Sequence, residues 1–130
     1  MPDFEQSQDI SAAPDAVWRL VSDPHRLADW VPTTTASRPA GGDAVHLQGE
    51  SHGHDYDTRG GFVADDAVRR LSWDSRRLSG YRGTLLVAGH GGGSRITIQV
   101  TVPDVPAEAD EEITRGLHET FDRIARLTKQ

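Results

Sequence analysis

The chain has 130 residues, with 20 acidic against 14 basic side chains and a formal net charge of −6, a length that suits one domain over 1–130 with one core. That balance opposes a phosphate backbone, because nucleic-acid affinity comes mostly from Lys and Arg displacing counterions, so no nucleic acid is expected as a partner. Without cysteine there is no disulfide framework, thiolate nucleophile or Cys-type zinc site, and the polar start MPDFEQSQ and lack of a long apolar run lead to a cytoplasmic expectation without membrane insertion.

In chain order, Phe4 to Ile10 predicts a short first strand. SAAPDAVWRLVSD then predicts a helix, with Pro14 suited to its first turn and Val17, Leu20 and Val21 on one face. Pro24 ends it, and a second short helix is expected from His25 to Trp30, closed off by Pro32. From Thr33 the texture changes to strands. Segments near 33 to 39, 43 to 51, 54 to 64, 67 to 74, 80 to 89 and 94 to 102 are separated by GG, HG, DD, SRRLS and HGGG, which predicts a six-strand meander. After the Pro-bounded link PDVP, AEADEEITRGLHETFDRIARLTK predicts a long amphipathic helix, with Ile113, Leu117, Phe121, Ile124 and Leu127 at helical spacing. Acids crowd its start and Arg123, Arg126 and Lys129 its end, which suits the helix dipole. The result is an α+β arrangement: one curled antiparallel sheet of about seven strands burying a face against one long helix.

Register decides which side chains share that face, because each strand alternates and opposed residues in a hairpin point the same way. A two-residue turn at His52-Gly53 pairs Ser51 with His54, Gly49 with Tyr56, Leu47 with Thr58 and Val45 with Gly60. A turn at Asp65-Asp66 pairs Phe62 with Arg69, Gly60 with Leu71 and Thr58 with Trp73. A four-residue HGGG loop pairs Val87 with Ile96, Leu85 with Ile98, Gly83 with Val100 and Tyr81 with Val102. The inner face is then Val45, Leu47, His54, Tyr56, Phe62, Arg69, Leu71, Trp73, Tyr81, Leu85, Val87, Ile96, Ile98, Val100 and Val102. Its polar members, His54, Tyr56, Arg69 and Tyr81, must each find a partner or a ligand. In a meander the HG turn, the SRRLS loop and the PDVP link share one rim, the expected mouth, where Arg76 and Arg77 are read either as attractors of an anionic ligand or as a solvated pair. Gly116 on the last helix falls with Ile113, Leu117 and Thr120, making room for a ligand or for close packing.

The run ISAAPDAVWRLVSDPHRLADW, the later RRLSWD, and GGGSRITIQV closing the sheet before a terminal helix resemble the SRPBCC superfamily, also called START-like or polyketide cyclase/dehydrase-like. The resemblance covers essentially the whole chain. It implies a helix-grip fold whose sheet wraps the C-terminal helix around a cavity for an apolar or aromatic small molecule. The walls expected are Trp30, Phe62, Trp73, Leu85, Ile98, Leu117 and Phe121, with His54, Tyr56, Arg69 and Tyr81 as polar handles.

The stretch ESHGHDYDTRGG at 50–61 invites a metal reading, but the register separates its groups: His52 in the turn, His54 inward, Asp55 and Asp57 outward. No metal and no cofactor are expected. The glycines at 91–93 lie between strands with no Lys-Ser/Thr opening a helix after them, so they form no phosphate loop. No G-x-S-x-G elbow occurs. General acid/base work is left to His54, with Tyr56, Arg69 and Tyr81 to orient a carbonyl or steady an enolate, in a polyketide cyclase/dehydrase-like reaction. Two alternatives stand beside it. One is a non-enzymatic carrier of a hydrophobic metabolite. The other is a protein-interaction module like the activators of heat-shock ATPases, which predicts a cavity that is small or filled by Phe62, Trp73 and Phe121. A monomer or homodimer is expected.

Overall fold

The computed structural model describes residues 3–32, 34–51, 54–75, 80–102 and 109–128, with the side chains of Ser51, His54, Ala109 and Asp110 outside that description. Its elements are β1 (Asp3–Ile10), α1 (Pro14–Val21), α2 (Leu27–Trp30), β2 (Thr34–Pro39), β3 (Ala44–Ser51), β4 (His54–Asp65), β5 (Arg70–Asp74), β6 (Arg82–His90), β7 (Gly93–Thr101) and α3 (Ala109–Thr128). The strands form one antiparallel sheet in the order β1-β7-β6-β5-β4-β3-β2. This is the expected meander with β1 added beside β7, and the arrangement is that of a helix-grip fold.

The sheet buries one face. Along β7 the pattern alternates, with Ser94, Ile96, Ile98 and Val100 buried, as a half-solvated antiparallel strand requires. Val87 and Leu85 on β6 stand opposite Ile96 and Ile98, Leu71 on β5 stands opposite Leu85, and α3 lays Leu117, Phe121 and Ile124 into the same core. α1 adds Val17, Trp18, Leu20 and Val21. Pro14 occupies its first turn without loss, because the first helical N–H has no intrahelical acceptor.

Two turns differ from expectation. The β6–β7 hairpin closes tighter than a four-residue loop, with His90 opposite Gly93 and only Gly91-Gly92 between them. Both glycines have positive φ, 57° and 85°, the twist a two-residue hairpin favours and one that side chains resist. The β4–β5 connection is longer than expected. Phe62 pairs with Trp73 and Asp65 with Arg70, so that residues 66–69 make the turn. Its ends are tied to α1: Trp18 Nε1 donates to Asp66 at 2.8 Å, and the Arg69 guanidinium meets Asp15 at 2.5 Å. The register therefore shifts by four residues. An even shift keeps every side chain on its face, so Phe62, Leu71 and Trp73 still point inward.

β4 pairs with β3 through Gly61 and with β5 only from Phe62 onward. The strand turns between the two halves of the sheet at Gly60-Gly61. A β-carbon at Gly60 would overlap the Asp74 carbonyl oxygen, so only glycine permits this approach. The Asp74 carboxylate in turn accepts the Gly61 N–H at 2.7 Å.

Candidate functional site

Where β4 bends away from β5, the sheet, α2 and α3 enclose a cavity of about 360 Å³. Its wall combines Leu27, Trp30 and Val31 around α2, Thr34 on β2, Val45 and Leu47 on β3, and Tyr56, Thr58, Gly61 and Phe62 on β4. Leu71, Trp73, Asp74, Ser75, Tyr81, Ile98 and Val100 continue it, and Leu117 and Thr120 close it from α3. The lining is mostly apolar, with a few hydroxyls and indoles, the usual make-up of a small-molecule site. A broader hollow of about 790 Å³ on the opposite sheet face is edged by Asp3, Glu5, Arg70, Asp74 and Arg82. Its charged, solvated lining gives an apolar molecule little to be buried by.

Four polar side chains of the cavity wall form two neutral pairs. Thr34 Oγ1 and the Tyr56 hydroxyl are 3.0 Å apart. Trp73 Nε1 donates to the Tyr81 hydroxyl at 3.3 Å. Burial pushes the Tyr81 phenol above its ordinary value of 10.0, opposed in part by the Trp73 hydrogen bond; Tyr81 is therefore a neutral hydroxyl at ordinary pH, able to donate rather than to act as a base. Trp30 also stands in the wall, with its Nε1 buried and without a hydrogen-bond partner among the described residues. Such a donor costs about 1–3 kcal/mol if nothing satisfies it.

Local sequence explains these positions. Thr34 and Tyr56 both stand opposite Gly49 in β3, which has no side chain to separate them. Trp73 stands opposite Gly83, and a β-carbon there would overlap the indole, so the ring lies flat across the glycine and reaches Tyr81.

Of the residues singled out in the sequence, the cavity brings together Trp30, Tyr56, Phe62, Trp73, Tyr81, Ile98 and Leu117. Leu85 and Phe121 are buried in the core behind it and do not line it. Arg69 is not an inward handle. It has φ 51°, lies in the β4–β5 turn, and its guanidinium holds the Asp15 carboxyl below the usual carboxylate range. The His54 backbone pairs with Ser51 as expected, while its side chain lies outside the described residues, as do His52-Gly53, Arg76, Arg77 and the PDVP link. Asp57 is taken up on the outer side by His46, its strongest partner, and by Gln48. No β-carbon contact would arise at Gly116 within 4 Å, so close packing is not what requires glycine there.

Sequence reasoning missed Leu27, Val31, Thr34, Asp74 and Ser75, and it put Thr58 and Thr120 on the inner side without naming them as site residues. For Thr34 the obstacle was a register shift between Thr34 and Ala36, which breaks the alternation that would have assigned its face. For Thr120 the signal was present, since it shares a helix face with Leu117.

The family model for "Polyketide cyclase / dehydrase and lipid transport" matches residues 1–127. The chain belongs to this family. A START superfamily protein from Mycobacterium smegmatis superposes with a TM-score of 0.84 at 10% identity, covering 98% of this chain and 97% of that one. XoxI from Bacillus cereus superposes with a TM-score of 0.80 at 21% identity, covering 98% and 96%. The di-domain ARO/CYC protein BexL, from the BE-7585A biosynthetic pathway, gives 0.71 at 19% identity, with 99% of this chain on 45% of that one. At these identities the family member shares with them the START-like fold. A comparison with curated proteins finds no match to the sequence. Among the described residues no helix is long and apolar enough to cross a membrane.

Proposed function

We propose that this family member, as one ligand-binding domain, holds a small, largely apolar or aromatic molecule between the sheet and α3. The observation that carries the reading is the cavity of about 360 Å³ with its apolar wall and internal hydroxyls, a size within the range of about 300–1,000 Å³ for small-molecule pockets. Its presence speaks against the interaction-module reading, which expects that space to be small or filled. Trp73 lies flat against Gly83, and Phe121 packs behind the wall, so neither fills it.

Carriage without chemistry is supported by the described lining. Its one carboxylate, Asp74, accepts the Gly61 N–H, and the raised Tyr81 phenol stays protonated, so these groups orient a carbonyl better than they remove a proton. A cyclase/dehydrase-like reaction would use the Tyr56 and Tyr81 hydroxyls to steady an enolate and His54 to move the proton.

Native mass spectrometry of freshly purified protein tests the binding reading. The expected result is a co-purified small molecule released on denaturation and lost when Thr58→Phe fills the cavity from the inner face of β4. Turnover of that molecule by wild type but not by His54→Ala identifies an enzyme; unchanged molecule in both identifies a carrier.

A further inference from the structure

Of the tryptophan and phenylalanine rings in the cavity wall, Trp30 is 4% exposed and Phe62 9%, whereas Trp73 stays only half-buried although it points inward. Gly83 locates its ring. That residue shares the inward parity of Leu85 and Val87, so the β-carbon it lacks would point toward the core, where it would overlap Cζ2, Cε2 and Nε1 of the indole. The ring therefore lies over Gly83 on the inner side of the sheet, although Trp73 also edges the outer hollow.

Three neighbours hold the ring in place. Gly83 lies beneath it, Tyr81 accepts its Nε1–H at 3.3 Å, and Phe62 stands opposite on β4. A side chain held in this way loses little further freedom when a guest arrives. Its remaining face is turned away from the sheet, toward the space that Leu117 and Thr120 close from α3. Covering an apolar face is favourable in proportion to the area covered, and a flat guest covers it where a puckered one touches it at a few hydrogens. An aromatic guest adds the ring–ring attraction of an offset stack.

We propose that the Trp73 indole is the stacking platform of the cavity, and that it selects guests carrying a planar aromatic ring over saturated rings or alkyl chains of the same bulk. This inference rests on the ligand-binding reading above and narrows the class of guest. Trp73 acts as a specificity residue through its face, since its N–H is already engaged by Tyr81.

Two probes with one skeleton and one hydroxyl test it: 2-naphthol and its fully saturated counterpart trans-decahydro-2-naphthol, measured by equilibrium dialysis against wild type, Trp73→Leu and Trp73→Phe. The saturated alcohol leaves water more readily, so the ratio of the two affinities is compared between proteins. The preference for 2-naphthol should be about three- to tenfold higher in wild type than in Trp73→Leu, with Trp73→Phe between them. In the wild-type proton spectrum the Trp73 ring resonances should move upfield with 2-naphthol, as protons over the face of a second aromatic ring do, and not with the saturated alcohol. A ratio that Trp73→Leu leaves unchanged, or Trp73 ring protons that move no further with 2-naphthol than with the saturated alcohol, overturns the inference and leaves the cavity reading standing. Binding of neither probe by folded wild type removes the cavity reading, and the inference with it. Should Trp73→Leu fail to fold, the Trp73→Phe ratio and the wild-type ring shifts make the same decision.

Discussion

Thr34 and Tyr56 meet hydroxyl to hydroxyl at 3.0 Å across Gly49, the residue both stand opposite from strands on either side of it. The contact fixes the Tyr56 ring at the cavity wall. Thr34→Val should cost about 0.5–1.5 kcal/mol in denaturant unfolding, the net worth of a hydrogen bond. Gly49→Val should cost more, about 1–3 kcal/mol, because its side chain must occupy the space between the two. In the Gly49→Val background the further loss from Thr34→Val should vanish, and a double-mutant cycle checks that coupling.

Gly83 is the floor beneath the Trp73 indole. Gly83→Ala should displace the ring, break its bond to Tyr81 and destabilise the fold by about 1–3 kcal/mol. A shifted Trp73 indole resonance together with a lower denaturation midpoint checks both consequences at once.

Tyr81 should ionise above 10.0, because burial disfavours its phenolate. With the folded value raised, the stabilising contribution is fully present below 10.0 and is lost as pH rises through the folded value. The difference between wild-type and Tyr81→Phe absorbance at the phenolate band, followed through alkaline pH, isolates this step. A step at or below 10.0 would exclude the buried hydroxyl.

Asp15 should titrate below 3.8, since it accepts hydrogen bonds from Arg69. The sign is opposite to that of Tyr81: the contribution is present above 3.8 and is lost as pH falls through the lowered folded value. In a carboxyl NMR titration, Arg69→Gln should return Asp15 toward 3.8 while leaving probe binding in the cavity unchanged. An effect of Arg69→Gln on binding would restore it as a pocket handle.

The inner face was legible in the sequence because the expected hairpins kept the right parity. Val87 opposite Ile96 and Leu85 opposite Ile98 stand as expected even though the loop between them is two residues shorter at its ends. Arg69 was lost for a nonlocal reason. Its turn is held by Asp15 and Trp18 from α1, contacts separated by 54 and 48 positions that no local pattern displays. A local clue did exist: the adopted register pairs aromatic Phe62 with Trp73 and acidic Asp65 with basic Arg70, combinations favoured across strands. The contribution of α2 was hidden differently. Helical periodicity over four residues cannot say which side of so short a segment faces inward, and Leu27 and Val31 were set by packing against β2 and α3.

β4 belongs to two ladders in succession, one up to Gly61 and the next from Phe62. The two walls of the binding space are thus bonded to different stretches of a single chain segment and meet at a pair of residues without side chains. Pocket width and pocket chemistry become separately adjustable: changing the bend at Gly60-Gly61 would move one wall against the other without touching Thr34, Tyr56, Trp73 or Tyr81. A scaffold built in this way could accept a larger or smaller guest while keeping the same hydrogen-bonding vocabulary.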